Sequence, residues 1–186
     1  MREFFASLRD ICLFRSGPDD LPYAPRVLIA LLVAGAAVEA LMGSRTGAAA
    51  GALAGAVVGG FAAVGMLWLL LRSRGKAERF VQTTTALAAV YLLSGVVRYL
   101  LGGLLPLRAW LEGWLARPPR MPEVTGGQAL LVCVIAAVEI WQLVVWIRIL
   151  RRSLEVPVAG SVLILMLLVL VSVIAGALVT GAAGAA

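Results

Sequence analysis

Five apolar runs, at 26–43, 48–71, 82–105, 128–147 and 156–183, occupy most of this chain of 186 residues. A helix needs ~20 residues to cross a hydrocarbon core, so each run is about long enough to span a membrane. Within lipid a lone segment must satisfy its own backbone hydrogen bonds, which makes the runs helices. They are too continuous for the alternating pattern of a barrel strand. With 62% hydrophobic and 14% charged residues and a mean hydropathy of +1.00, against roughly 25% charged in a soluble domain, the chain cannot cover a water-soluble fold. The expected class is all-α, an integral membrane bundle of about five transmembrane helices with amphipathic surface helices. Residues 1–25 read as a cytosolic segment with a proline-rich lead-in, and 26–186 as the bundle. The tight turn Ser44-Arg45-Thr46-Gly47 predicts an antiparallel hairpin of the first two spans.

Basic residues set the expected orientation. Arg2, Arg9, Arg15 and Arg26 precede the first span. Arg72, Arg74, Lys76 and Arg79 follow the second, and Arg148, Arg151 and Arg152 follow the fourth. The other side holds Arg45, Arg108, Arg117 and Arg120. Eleven against four predicts a cytoplasmic N-terminus and an external C-terminus. The same clustering beside spans explains the net charge of +6 without a nucleic-acid partner; the partners expected are membrane lipids, a membrane-protein partner or further copies of the chain. Fifteen arginines to one lysine, with heavy Ala and Gly usage, suggest a high-GC bacterial genome and hence an inner (cytoplasmic) membrane. The N-terminus lacks the continuous apolar core of a cleavable signal, so the first span is expected to be retained.

Two short segments read as interfacial helices. Phe4, Phe5, Leu8, Ile11 and Cys12 form one apolar helical stripe, which predicts a helix lying on the cytoplasmic leaflet or packed on a soluble partner. Leu107, Trp110, Leu111, Trp114 and Leu115 repeat in the same way on the other side, and the tryptophans suit the headgroup layer. Pro118, Pro119 and Pro122 then stop the helix.

In the second span Gly47, Gly51, Gly55 and Gly59 recur every fourth residue. Such a groove admits another helix closely: the first or third span of the same chain, an oligomer, or a partner. Three ionisable residues lie inside spans: Glu39, Arg98 and Glu139. Groups of this kind face the bundle interior, water or each other. Arg98 falls between the two glutamates in depth, which predicts an Arg98–Glu39 or Arg98–Glu139 pair. Alternatively one glutamate binds a proton or a cationic substrate. Small multidrug transporters use a first-span glutamate in this way, and Glu39 is similar in placement. Five spans depart from their four-span pattern, and a nearby arginine would hold the glutamate charged. Gln142 shares a helical face with Glu139, while Trp146 beside Arg148 suggests the cytoplasmic interface.

Histidine is absent, which removes haem ligation by His, most zinc and copper sites, and Ser-His or Cys-His catalysis. No GxSxG, HExxH or Walker loop occurs. The one lysine, Lys76, lies in a loop, and Asp10, Asp19 and Asp20 all precede the first span, so Ser-Lys and paired-Asp chemistry lack residues. No cofactor is implied. Cys12 and Cys133 read as unpaired thiols.

The lead-in, Gly17-Pro18-Asp19-Asp20-Leu21-Pro22-Tyr23-Ala24-Pro25, reads as a turn into the first span or an exposed docking loop, with Asp19 and Asp20 capping the turn or pairing with Arg15 and Arg26. Its Asp20-Leu21-Pro22-Tyr23-Ala24-Pro25 is similar to the Asp-Leu-Tyr-Gly-Pro signature that precedes the spans of the Yip1 family, with an added proline and alanine for glycine. Five packed spans behind a cytosolic segment resemble that family too. The resemblance implies a membrane-organising role and carries over no site. The expected function is a non-enzymatic scaffold or accessory subunit; a small proton-coupled transporter or channel is the alternative.

Overall fold

The structure is a computed structural model that describes residues 2–45, 47–116 and 124–184. Its helices are α1 (Arg2–Cys12), α2 (Pro25–Ser44), α3 (Ala49–Ser73), α4 (Phe80–Gly102), α5 (Leu107–Leu115), α6 (Gly126–Leu154) and α7 (Val158–Gly184). Among the described residues there is no strand. α2, α3, α4, α6 and α7 are long and apolar enough to cross a membrane. The protein is an all-α, multi-pass membrane bundle with two further short helices.

The spans close into a ring. α2 packs on α3 and α4, α3 on α7, α7 on α6, and α6 on α4. Half of the α4 span is buried, against 11–17% in the other four. Small and hydroxylated residues let α4 take that place: Thr83, Thr84, Thr85, Ala86, Ala89, Ser94 and Gly95 are all buried. Thr84 Oγ1 donates to the Phe80 carbonyl at 2.7 Å and Thr85 Oγ1 to that of Val81 at 2.6 Å. Thr83 Oγ1 meets Ser153 Oγ of α6 at 2.8 Å. No hydroxyl is therefore left unpaired where α4 is covered.

Several helix ends are Schellman motifs, in which the residue past the end takes a left-handed conformation and returns its amide to the last turn. Gly75 (φ +69) closes α3 in this way, with Lys76 N–H donating to Leu71 O at 2.8 Å. Gly47 (φ +81) closes α2, with Ala48 N–H donating to Gly43 O at 2.8 Å. Phe14 (φ +62) and Glu155 (φ +52) do the same for α1 and α6 without being glycine. Both are held by contacts: Phe14 packs against the cluster of Ile11, Val145 and Ile149, and Glu155 is paired with Lys76 and Arg79.

Several expectations need correction. α1 does not offer its stripe to lipid or to a soluble partner. Phe4 and Ile11, with Leu8 beside them, pack against Ala86 and Val90 of α4 and Val145 and Ile149 of α6. Phe5 leaves that stripe; it is 61% exposed and meets Phe4 edge-on. The arginines after the fourth span are not in a loop, because α6 runs on to Leu154 and carries them on its last turns. Trp146 turns into the bundle rather than out to the headgroups: its ring stacks on Tyr91 at 6.1 Å, and its Nε1 donates to the Leu87 carbonyl at 3.2 Å.

The lead-in packs on the same end as α1. Gln82 Nε2 donates to the Leu21 carbonyl at 2.8 Å, and Leu21 is buried. Asp20 caps its turn through Gly17 N–H at 2.9 Å. Asp19 pairs with Arg79 at 3.7 Å, not with Arg15 or Arg26. α5 forms as a short helix with Trp114 exposed; Thr46 and 117–123, with the three prolines, lie outside the described residues.

Candidate functional site

The three intramembrane charges meet. Arg98 of α4 sits between Glu39 of α2 and Glu139 of α6, with Nη2 3.7 Å from Glu39 Oε1 and Nε 3.2 Å from Glu139 Oε1. The sequence allows either pair; the structure makes both. The side chains remain 19%, 24% and 36% exposed for Arg98, Glu39 and Glu139. Neither contact is an aligned hydrogen bond, since Arg98 Nε, Arg98 Nη2 and Glu139 Oε1 are buried atoms without a hydrogen-bond partner.

α4 builds the rest of the site from one face. Tyr91, Ser94, Gly95 and Arg98 follow at helical spacings of three and four. Tyr91 Oη donates to Glu39 Oε1, and the Arg98 guanidinium lies 5.4 Å from the centre of the Tyr91 ring. Ser94 Oγ contacts Gln142 Oε1 of α6. α2 and α4 approach closely at Gly95, where a Cβ would stand 3.3 Å from Val38 Cγ1; one on Gly35 would make ordinary contact, 3.5 Å from Tyr91 Cδ1.

Sequence reasoning reached Glu39, Arg98, Glu139 and Gln142 but missed Tyr91 and Ser94. Their spacing from Arg98 on α4 is the signal that would have found them. It also left Arg45 in a loop. Arg45 Nη1 donates to the Tyr99 carbonyl at 2.7 Å and its guanidinium lies 3.8 Å from the Tyr99 ring centre. A cation there caps the last turn of α4 and ties α2 to it.

Comparison with family models, curated proteins and solved structures finds no match. Function must therefore be read from the residues themselves.

The glycine groove of α3 is filled by α7, not by the first or third span. A Cβ on Gly59 would come 2.6 Å from the Ser172 carbonyl oxygen, and Gly55 lies against Gly176 and Thr180. Gly51 faces Thr180 more loosely, at 3.8 Å from such a Cβ. Gly47 takes no part, since it belongs to the turn that ends α2 and has open space around it.

Among the described residues no group of three or more His, Cys, Asp or Glu is placed to hold a metal ion. Both cysteines are free. Burial pushes the Cys12 thiol above its ordinary range, so it is a poor nucleophile.

The charged cluster can do two things chemically. It joins α2, α4 and α6 through one guanidinium, and it holds two carboxylates against a single positive charge.

Proposed function

We propose that this chain is a non-enzymatic scaffold or accessory subunit that organises protein or lipid partners in the bacterial inner membrane, its N-terminus in the cytoplasm and its C-terminus outside. The observation that carries the reading is the use of Arg98. Its guanidinium is engaged by Glu39 and Glu139 together, so the charged groups within the spans serve to hold three helices in one arrangement. The absence of histidine and the placing of Lys76 and the aspartates outside the spans add to it. The Yip1 resemblance implies the same membrane-organising role.

The outer face of α6 leaves room for a partner in this reading. Over 126–141, α6 has no buried residue, and Leu130 and Ile140 are 66% and 62% exposed. In a membrane this side meets lipid or another span. The orientation rests on the packing of α1, the α3–α4 connection and the end of α6 at one end of the bundle, which gathers the larger set of basic residues there.

The test is isolation of the tagged protein from native membranes in mild detergent, followed by quantitative mass spectrometry. A stoichiometric membrane partner is expected. A homogeneous assembly of this chain alone would overturn the accessory-subunit reading.

A second reading, a small proton-coupled transporter or channel, has its own observation: one carboxylate of the Glu39–Glu139 pair is left without a full counter-charge. Proton-dependent substrate accumulation that disappears in Glu39→Gln or Glu139→Gln would favour it. Loss of stability alone in those variants would leave the scaffold reading standing.

A further inference from the structure

A cavity of about 790 Å³ lies apart from the charged cluster, where α6 turns into α7. Its walls divide by chemistry. The last turns of α6 contribute Arg148, Arg151 and Arg152, while Val144, Ile147 and Val158 provide an apolar side. Glu155 also lines it, but its carboxylate is paired with Lys76 and with Arg79 at 3.0 Å. Among the described residues no carboxylate forms an ion pair with any of the three arginines. Three arginines therefore line one opening against a single carboxylate, Glu155, which is already shared with Lys76 and Arg79.

Arg148 is held in place beneath this opening. Its Nε is buried and has no hydrogen-bond partner, and the guanidinium is steadied 5.6 Å from the centre of the Phe14 ring. Arg152 lies across Gly17, where a Cβ would stand 2.6 Å from Nη1. Arginine's planar fork suits phosphate oxygens. The apolar wall runs out onto the membrane-facing surface, with Val144 and Val158 47% and 52% exposed.

The geometry points to a site for an anionic phospholipid, its phosphate among Arg148, Arg151 and Arg152 and its acyl chains along Val144, Ile147 and Val158. Basic pockets between transmembrane helices at the membrane surface recognise such headgroups by charge and by the adjoining apolar wall. A soluble phosphate shares the first chemistry but gains nothing from the second.

The test uses the full chain, purified in mild detergent, stripped of lipid and titrated with phosphatidylglycerol, phosphatidylcholine or inorganic phosphate. Native mass spectrometry counts retained lipid, and thermal unfolding is followed in the same samples. Phosphatidylglycerol should be retained where phosphatidylcholine is not, and should raise the melting temperature where inorganic phosphate does not. Removing two arginines, by Arg148→Gln with Arg151→Gln, should weaken phosphatidylglycerol binding about tenfold. Removing the same charge elsewhere, by Arg72→Gln with Arg74→Gln, should leave it within about twofold. Arg151→Gln alone, at an exposed side chain, should lower binding several-fold and stands in if the double variant does not fold. Equal retention of the two lipids, or an equal loss in the Arg72/Arg74 variant, overturns the site. An effect of inorganic phosphate equal to that of the lipid overturns the lipid as its occupant.

Discussion

Arg98 Nε lies 3.2 Å from Glu139 Oε1, and through that contact α4 holds α6 at the depth where Glu39 of α2 reaches the same guanidinium. The consequence is asymmetric. Removing Arg98 strands two carboxylates, whereas removing one glutamate leaves the other in place. Arg98→Gln should destabilise the protein by about 2–4 kcal/mol, below the full cost of breaking a buried pair because the groups are partly exposed. Glu139→Gln should cost less. Combining Arg98→Gln with Glu39→Gln and Glu139→Gln should recover part of the loss, measured by unfolding in mixed micelles. Additive losses would show that the three residues do not act as one group.

Gly59 and Gly60 make a matched pair of probes. A Cβ at Gly59 collides with the Ser172 carbonyl, whereas one at Gly60 meets nothing within 4 Å. Gly59→Ala should cost about 1–3 kcal/mol by forcing α3 from α7, and Gly60→Ala should be neutral or slightly stabilising through helix propensity. Melting temperatures in one detergent decide it; equal effects would mean that α7 does not fill the groove.

Glu155 predicts a pH dependence. Lys76 first, and Arg79 after it, hold its carboxyl below the ordinary 4.5. A carboxylate with a depressed folded value contributes its stability fully above the unfolded value and loses it as pH falls through the folded one. Stability should therefore decline as pH falls from 4.5 downward, and Glu155→Gln should flatten that part of a melting-temperature profile. Glu155→Gly separates two effects, since glycine relieves the left-handed backbone while losing the ion pairs.

Docking of α1 can be read through Cys12. The thiol is half-buried, and the Cys12 carbonyl accepts from Trp141 Nε1 at 3.3 Å. Ile11 is 2% exposed against Val145 and Ile149, so Ile11→Ala should loosen α1, at a cost of about 2–4 kcal/mol to its docking. In a Cys133→Ser background, maleimide labelling of Cys12 should become faster in Ile11→Ala and stay unchanged in Phe5→Ala. Equal acceleration in both would mean that α1 is not seated by its Ile11 face.

Much of this architecture could be read without coordinates. Hydropathy located five crossings because no other fold satisfies the backbone of such runs in lipid. Depth alone placed Arg98 beside the two glutamates. The partner of the glycine groove was missed, although Ser172, Gly176 and Thr180 recur every fourth residue on α7 and form the matching small-residue stripe. The α1 stripe was visible, but a lipid surface and a protein face satisfy the same stripe, so its docking place was not. The partners of Trp146 were not visible, because tryptophan next to arginine suits an outward-facing position as well as one where the Leu87 carbonyl accepts its N–H.

The sequence by itself determined that this chain crosses a membrane, where the crossings lie (to within a few residues except at the end of the fourth, where α6 runs on to Leu154), and which charges lie inside. Those follow from the cost of exposing peptide groups and charges to hydrocarbon, a cost that each segment meets alone. Only the tertiary structure decided that α7 closes the ring against α3, that one guanidinium serves two glutamates, and that three arginines converge at the end of α6. Lipid is as apolar as leucine, so a span's sequence carries little preference between lipid and a neighbour. The choice falls to close backbone approach at a few small residues and to pairing of the rare polar ones, and both are properties of two helices together.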